Sequence, residues 1–302
     1  MLIVFLFYAI FSSTYTIGKA ALSYSQPIFF IGMRFAIGGL LTLLYLYFFD
    51  RKSFTLWPKI NRWAFAQVAI IQIFFAYTLE YWAMNHTASS KVALFFTMTP
   101  FYTVIFSHFM LGEKMTHKKA LGLAIGFVGT LVLMFFNSPA SESATGSFSG
   151  ISLAEIALLI SVVAYAYGWV VKRGMVTTDN MSPLAVNGIT TFYGGILTLI
   201  ASPFIDTWNP GPVSQVGPFI PLMIAIIVIG NLFGFNVYTW LLKRYSATFV
   251  SFAGFTDSLY AALYGWFFLG EQIGSIFFVS FAIITVGLYI FYQEELRQAS
   301  VS

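Results

Sequence analysis

The 302-residue sequence has no cysteine and very little charge. The first absence excludes disulfides and thiolate metal sites and leaves the redox compartment open. Charged residues make up 9% of the chain, against about 25% in soluble domains. So few charges cannot cover a water-facing surface on a chain of this length. The three histidines, His86, His108 and His117, stand at spacings that form no metal set, and neither a metal nor another cofactor is expected. No Walker motif is present, so no nucleotide-driven cycle is encoded. No basic region or small-residue cleavage site accompanies the first apolar run, so Leu2 onward is expected to be a span, not a signal peptide. The net charge of +4 is spread over short loops, where it serves topology, and no nucleic-acid partner is expected.

What the chain does contain is apolar length. Hydrophobic residues reach 59% and mean hydropathy is +0.82, the composition of an integral membrane protein whose main partner is the lipid bilayer. A span needs about 20 mainly apolar residues. That rule predicts an all-α protein with ten transmembrane helices, near 2–22, 28–49, 63–84, 88–111, 118–136, 151–172, 183–203, 218–242, 246–269 and 274–292. A β-barrel would show short alternating segments instead.

The chain also repeats itself. Shifted by 158 residues, Asn85–Lys114 lies over Lys243–Gln272 without a gap, ending in LGEK (Leu111–Lys114) and LGEQ (Leu269–Gln272). Val92/Val250, Tyr102/Tyr260, Trp82/Trp240 and Gly129/Gly287 also coincide. At an offset of 156, Ile37–Asp50 matches Tyr193–Asp206, with Pro27 over Pro183. Two matches in one order indicate a duplication: a first repeat over 1–136, a linker over 137–150, and a second repeat over 151–302.

Lysine and arginine set the orientation, since short cytoplasmic loops retain them. Arg51, Lys52, Lys59 and Arg62, then Lys114, Lys118 and Lys119, then Lys172 and Arg173, then Lys243 and Arg244 follow the even-numbered helices, and Arg297 lies in the tail. The opposite side holds only Lys19 and Lys91. Both termini are therefore expected in the cytoplasm. Five spans per repeat make the second repeat enter the membrane inverted, an arrangement characteristic of secondary transporters with a midplane site.

Gly18-Lys19 at the end of the first helix, Arg34 after Pro27, Pro100 in the fourth, the two LGE motifs, Gly129 and Gly287 together resemble the EamA-type drug/metabolite transporter superfamily. That resemblance covers nearly the whole chain. It implies ten-helix carriers of two inverted five-helix repeats in the cytoplasmic (inner) membrane. It also implies a central cavity built by the first, third, fourth, sixth, eighth and ninth helices, among others. Two positions depart from the pattern: Phe11-Ser12 replaces an aromatic-Gly pair, and Ser258, beside Asp257, replaces a proline.

Ionisable groups inside spans face a cavity or a partner by default. Lys19, Arg34, Glu80, Lys91 and Glu155 fall toward the periplasmic half. Arg34, Glu80, Lys91 and Lys19 form a candidate gate or vestibule; alternatively the lysines snorkel and Arg34 pairs with Glu80 as a strut. Asp257 lies close to the midplane. With Tyr260, Tyr15, Tyr81, Tyr238 and Asn231 it is a candidate for substrate binding or coupling, against the plainer reading of helix packing. Asn231, Phe235 and Tyr238 share a helical stripe on the eighth helix. Glu113 and Glu271 end the fourth and ninth helices and are expected to fasten loops. Gly122, Gly126 and Gly129 form a small-residue face, suited to a helix contact within the chain or to a homodimer.

The expected function is not enzymatic. It is secondary-active transport, by alternating access, of a small polar zwitterion such as an amino acid or an amino-acid-bearing nucleoside like S-adenosylmethionine. A coupling proton or an exchanged metabolite would be the second partner. Proton-coupled efflux of cationic drugs is the alternative.

Overall fold

In hydrocarbon every backbone polar group must be satisfied within the chain, so long apolar runs fold as helices. The computed structural model describes residues 2–51, 62–86, 92, 95–137, 152–257, 259–260, 263–264 and 275–299, and the only strand-like feature among them is an isolated bridge between Ser25 and Val213. The helices are α1 (Leu2–Phe11), α2 (Ser13–Leu22), α3 (Pro27–Phe49), α4 (Arg62–Gln67), α5 (Tyr77–Met84), α6 (Thr99–Leu111), α7 (His117–Asn137), α8 (Leu153–Thr177), α9 (Pro183–Ile205), α10 (Val216–Ile226), α11 (Asn236–Leu242), α12 (Ala247–Ala253) and α13 (Ser275–Ala299). Among the described residues, seven continuous helical runs are long and apolar enough to cross a membrane, judged by length and composition. Large apolar side chains point outward: Phe204 is 87% exposed, Phe109 81% and Phe49 77%. Such a surface suits lipid, not water.

Several elements differ from the expected spans. Two π-helical segments interrupt the third and eighth, Val68–Ala76 between α4 and α5 and Ile227–Phe235 between α10 and α11. Such segments are rare and concentrate at functional sites. The fourth and ninth are not single helices. A turn at Thr97–Met98 precedes α6, where Pro100 occupies the first turn, and α12 stops at Ala253 before a turn at Gly254–Phe255. The sixth span runs past 172 to Thr177, starting from a Ser152/Glu155 capping box. Lys172 is therefore not a loop residue, as the charge pattern suggested; it is wholly buried inside α8. The tenth runs to Ala299, because Glu295 and Glu294 find partners on Ser246, Lys119 and Arg297.

One glycine of each duplicated pair, Gly39 and Gly195, lies where α3 and α9 cross. A Cβ on Gly39 would meet the Phe192 backbone nitrogen at 2.4 Å, and one on Gly195 the Ala36 nitrogen at 2.3 Å. Only glycine lets these backbones approach so closely. Gly39→Val is expected to cost about 1–3 kcal/mol or more, since backbone cannot rotate aside, and to lower the melting temperature of the purified protein in detergent. Gly211→Val, with nothing within 4 Å, serves as a control that melts like the parent; equal melting of both variants would contradict the crossing. The glycine face of α7 is likewise filled within the chain: Gly122 lies against Gly287 and Phe291, Gly126 against Phe252, and Gly129 against Ile283 and Ile284. At the start of α3, the Ile28 and Phe29 amides donate to the Asp206 carboxylate at 3.2 and 2.7 Å, placing an anion at a helix N-terminus.

Candidate functional site

Arg34 sits two turns into α3, buried at 3% exposure. Its Nε donates to Asn231 Oδ1 at 2.8 Å, its Nη1 reaches the Tyr81 hydroxyl at 3.4 Å, and the guanidinium lies 5.1 Å from the Phe35 ring centroid. Gly230 makes room for it, since a Cβ there would meet Arg34 Nη2 at 2.6 Å. Asn231 belongs to the π segment of the eighth span, so the loosened helix is what presents this amide to the guanidinium. The Asn231 Nδ2 is buried without a partner.

Glu80, buried at 4% exposure on α5, shares a cavity with Arg34. The cavity is narrow, with a volume of about 20 Å³, and is lined by Phe11, Thr14, Tyr15, Arg34, Tyr77, Glu80, Tyr81, Phe96 and Tyr165. The two charged groups act on each other electrostatically. They are not ion-paired: the side-chain pairs within 4.0 Å among the described residues include Lys119–Glu295, Arg173–Glu113 and Arg297–Glu294 but not Arg34–Glu80. The strut reading of Arg34 is thus replaced by a guanidinium resting on neutral acceptors and a ring.

The candidate residues are partly brought together. Tyr15, Tyr81, Arg34 and Glu80 line the cavity, and Asn231 holds Arg34. Asp257 stands beside the break after α12, within electrostatic reach of Tyr8, Tyr15, Tyr165 and Tyr238. Its Oδ1 is buried with no hydrogen-bond partner. Tyr260 is half-buried and close to Asp257 and Tyr264. Tyr238 is packed, not cavity-lining: its ring lies 3.9 Å from Trp169 and 6.0 Å from Phe7. The stripe of Asn231, Phe235 and Tyr238 faces inward throughout, but the π segment spreads the first two over different levels, Asn231 toward Arg34 and Phe235 toward Tyr77 and Trp169. Lys19 is exposed in the last turn of α2, and Lys91 lies outside the described residues. Tyr77, Phe96 and Thr14 line the cavity without having been singled out by sequence; an aromatic-rich span gives no signal as to which rings face inward.

The end of the bundle bearing most lysines and arginines is latched. Glu113 pairs with Arg173 at 2.9 Å and accepts from the Ala247 amide and the Thr248 hydroxyl, each at 3.2 Å. Glu295 accepts from the Ser246 amide and hydroxyl and lies 3.6 Å from Lys119. Glu113 therefore fastens α6, α8 and α12, as its place at the end of the fourth span suggested; Glu271 lies outside the described residues.

The EamA-like transporter family matches residues 1–135 and 152–293. The chain belongs to that family. A protein of Chlamydia muridarum named an S-adenosylmethionine/S-adenosylhomocysteine transporter is 31% identical, the alignment covering 99% of this chain and 93% of that one. Its namesake in Chlamydia trachomatis serovar L2 is 30% identical over 99% and 90%. An uncharacterised inner membrane transporter of Escherichia coli K12, YedA, is 23% identical over 95% and 90%. One solved crystal structure superposes with a TM-score of 0.77 over 98% of this chain and 97% of its own at 15% identity, which establishes a shared fold. As an EamA-family member the chain is a multi-pass membrane transporter and not an enzyme.

Proposed function

We propose that this EamA-family protein carries an amino-acid-bearing nucleoside, S-adenosylmethionine or S-adenosylhomocysteine, across the cytoplasmic membrane by alternating access. The observation that carries this reading is the cavity holding Arg34 and Glu80 together without an ion pair, on a wall of tyrosine and phenylalanine. A zwitterionic amino-acid end offers a carboxylate to the guanidinium and an ammonium to the carboxylate. The aromatic wall suits an adenine ring, and ring faces attract a sulfonium or ammonium cation. The relatives from Chlamydia, similar along their whole length, support the same substrate class. A guanidinium in the cavity argues against a pocket built only for cationic drugs.

Alternating access would come from two inverted repeats, 1–136 and 151–302, joined by a periplasmic linker over 137–150, with both termini cytoplasmic. Three recurrences support it. The π segments begin at Val68 and Ile227, the helix breaks fall at Thr97–Met98 and Gly254–Phe255, and the matched glycines Gly39 and Gly195 both sit at the crossing of α3 and α9. In this arrangement the latched end is the cytoplasmic one.

The test is counterflow. Proteoliposomes preloaded with unlabelled S-adenosylhomocysteine should transiently accumulate external labelled S-adenosylmethionine well beyond unloaded vesicles. Counterflow of a cationic dye, with none of either nucleoside, would overturn the substrate assignment in favour of drug efflux. Absence of overshoot for any solute, despite a thermal shift on binding, would overturn the carrier mechanism.

A further inference from the structure

Lys172 places a second basic side chain in the protein interior, one turn along the eighth span from the residue that holds the first. Its side chain is wholly buried. The ammonium donates to Asn187 Oδ1 at 3.1 Å and stands 4.4 Å from the Trp169 ring centroid and 4.9 Å from that of Phe235. No carboxylate lies within ion-pair distance among the described residues. Asn187 is itself pinned, its Nδ2 donating to the Phe235 carbonyl, Asn236 Oδ1 and Thr239 Oγ1. A lysine ammonium has three donors, and here one is used, on a neutral oxygen. Burying it this way is expensive, and an apolar residue of similar size would hold the helices together better. The Trp169 indole N–H beside it is also buried with no hydrogen-bond partner.

The same construction holds Arg34. There too a cation rests on an asparagine carbonyl oxygen and an aromatic ring, with a spare buried donor alongside, Asn231 Nδ2. The two are linked through the eighth span, because Arg34 binds Asn231 and Lys172 stacks on Phe235, within one π segment. Tyr165, which lines the cavity, packs on Trp169 with ring centroids 5.8 Å apart. Lys172 therefore lies behind the aromatic floor of the cavity, on the side of the Arg173–Glu113 latch that follows it on α8.

We propose that Lys172, with the Trp169 indole N–H, is a second carboxylate-binding position on the transport path. The substrate carboxylate would leave Arg34 and engage Lys172 when the latch opens and the rings of Trp169 and Phe235 part. This rests on the zwitterionic-nucleoside reading above and adds to it a second, inner subsite. Basic side chains at both levels, neither of them paired with a carboxylate of the described residues, would compensate the substrate carboxylate through the crossing, where an uncompensated charge would be costly.

The experiment uses the full-length protein in proteoliposomes with S-adenosylmethionine and its decarboxylated analogue. Lys172→Gln is expected to slow S-adenosylmethionine exchange at least tenfold and exchange of the decarboxylated analogue less than twofold. Binding of S-adenosylmethionine in detergent should change less than threefold, because Arg34 remains, and the melting temperature of the empty protein should not fall. Lys172→Arg should retain most of the exchange. Should Lys172→Gln fail to fold, Asn187→Asp carries the same expectation, since it supplies an internal carboxylate that occupies the ammonium. Equal slowing of both nucleosides, a melting temperature that falls along with the rate, or undiminished S-adenosylmethionine exchange overturns the inner subsite while leaving the substrate reading intact. A parent protein that exchanges neither nucleoside overturns both.

Discussion

Arg34→Gln is expected to remove substrate binding while leaving the empty protein at least as stable as the parent. The expectation follows from what the guanidinium lacks. It is buried at 3% exposure and hydrogen-bonded to Asn231 and Tyr81, yet Glu80 is not within ion-pair distance. A buried cation without a close counter-charge is the costly state, and removing it relieves that cost. A substrate carboxylate would supply the missing charge. Losing a buried, hydrogen-bonded charge partner typically costs about 2–5 kcal/mol, so affinity should fall on the order of a hundredfold or more. Arg34→Lys keeps the charge but not the planar fork that Nε and the terminal nitrogens present, and intermediate affinity is expected. The decisive pair of measurements is ligand affinity by calorimetry and melting temperature without ligand. If affinity and empty-protein stability fall together, Arg34 is a packing element and the binding role is wrong. If affinity is unchanged, the cavity is not where the carboxylate goes.

Which parts of this were legible in the sequence depends on whether the relevant signal was local. The helices that cross the bilayer were legible, because apolar run length alone decides them; α3 and α9 lie within two residues of expectation at each end. The glycine pairs at 38–39 and 194–195 stood out as repeated residues, but only the folded chain shows that Gly39 lies against the backbone of Phe192 and Gly195 against that of Ala36. The π segments left no mark, since Val68–Ala76 and Ile227–Phe235 read as ordinary apolar helix. Lys172 was misplaced for a physical reason. Hydropathy ends a span at the first charge, whereas α8 continues because the ammonium is housed by Asn187 and two rings from other parts of the chain. Arg34 and Glu80 were legible as one interior set and Tyr15 and Tyr81 as members of another; that the four line a single cavity, and which groups hold them, was not. Asn231 and Tyr81, which hold the guanidinium, are 197 and 47 residues away from it in sequence.

Asp257→Asn is expected to leave the protein folded and to impair net transport at least tenfold. Asparagine keeps the shape of the side chain and the backbone turn, in which the Asp257 amide donates to the Gly254 carbonyl at 2.9 Å. What it removes is ionisation. Asp257 Oδ1 is buried and partnerless, and Tyr8, one of the phenols within its electrostatic reach, already donates its hydroxyl to the Val250 carbonyl at 2.7 Å. A carboxylate held in a packing role would be expected to have claimed a donor, since a buried unpaired acceptor costs about 1–3 kcal/mol. Its position also matters. It follows directly on the break at Gly254–Phe255, where a span that is not continuous helix can change shape, and intramembrane acids at such places serve substrate or proton. Two assays separate those roles. Net uptake lost with nucleoside exchange intact assigns Asp257 to proton coupling, because exchange needs no net proton movement. Loss of binding in detergent assigns it instead to the ammonium or sulfonium of the substrate, in addition to Glu80. Parent-like binding, exchange and net transport in the asparagine variant would show that Asp257 takes no part in the transport cycle.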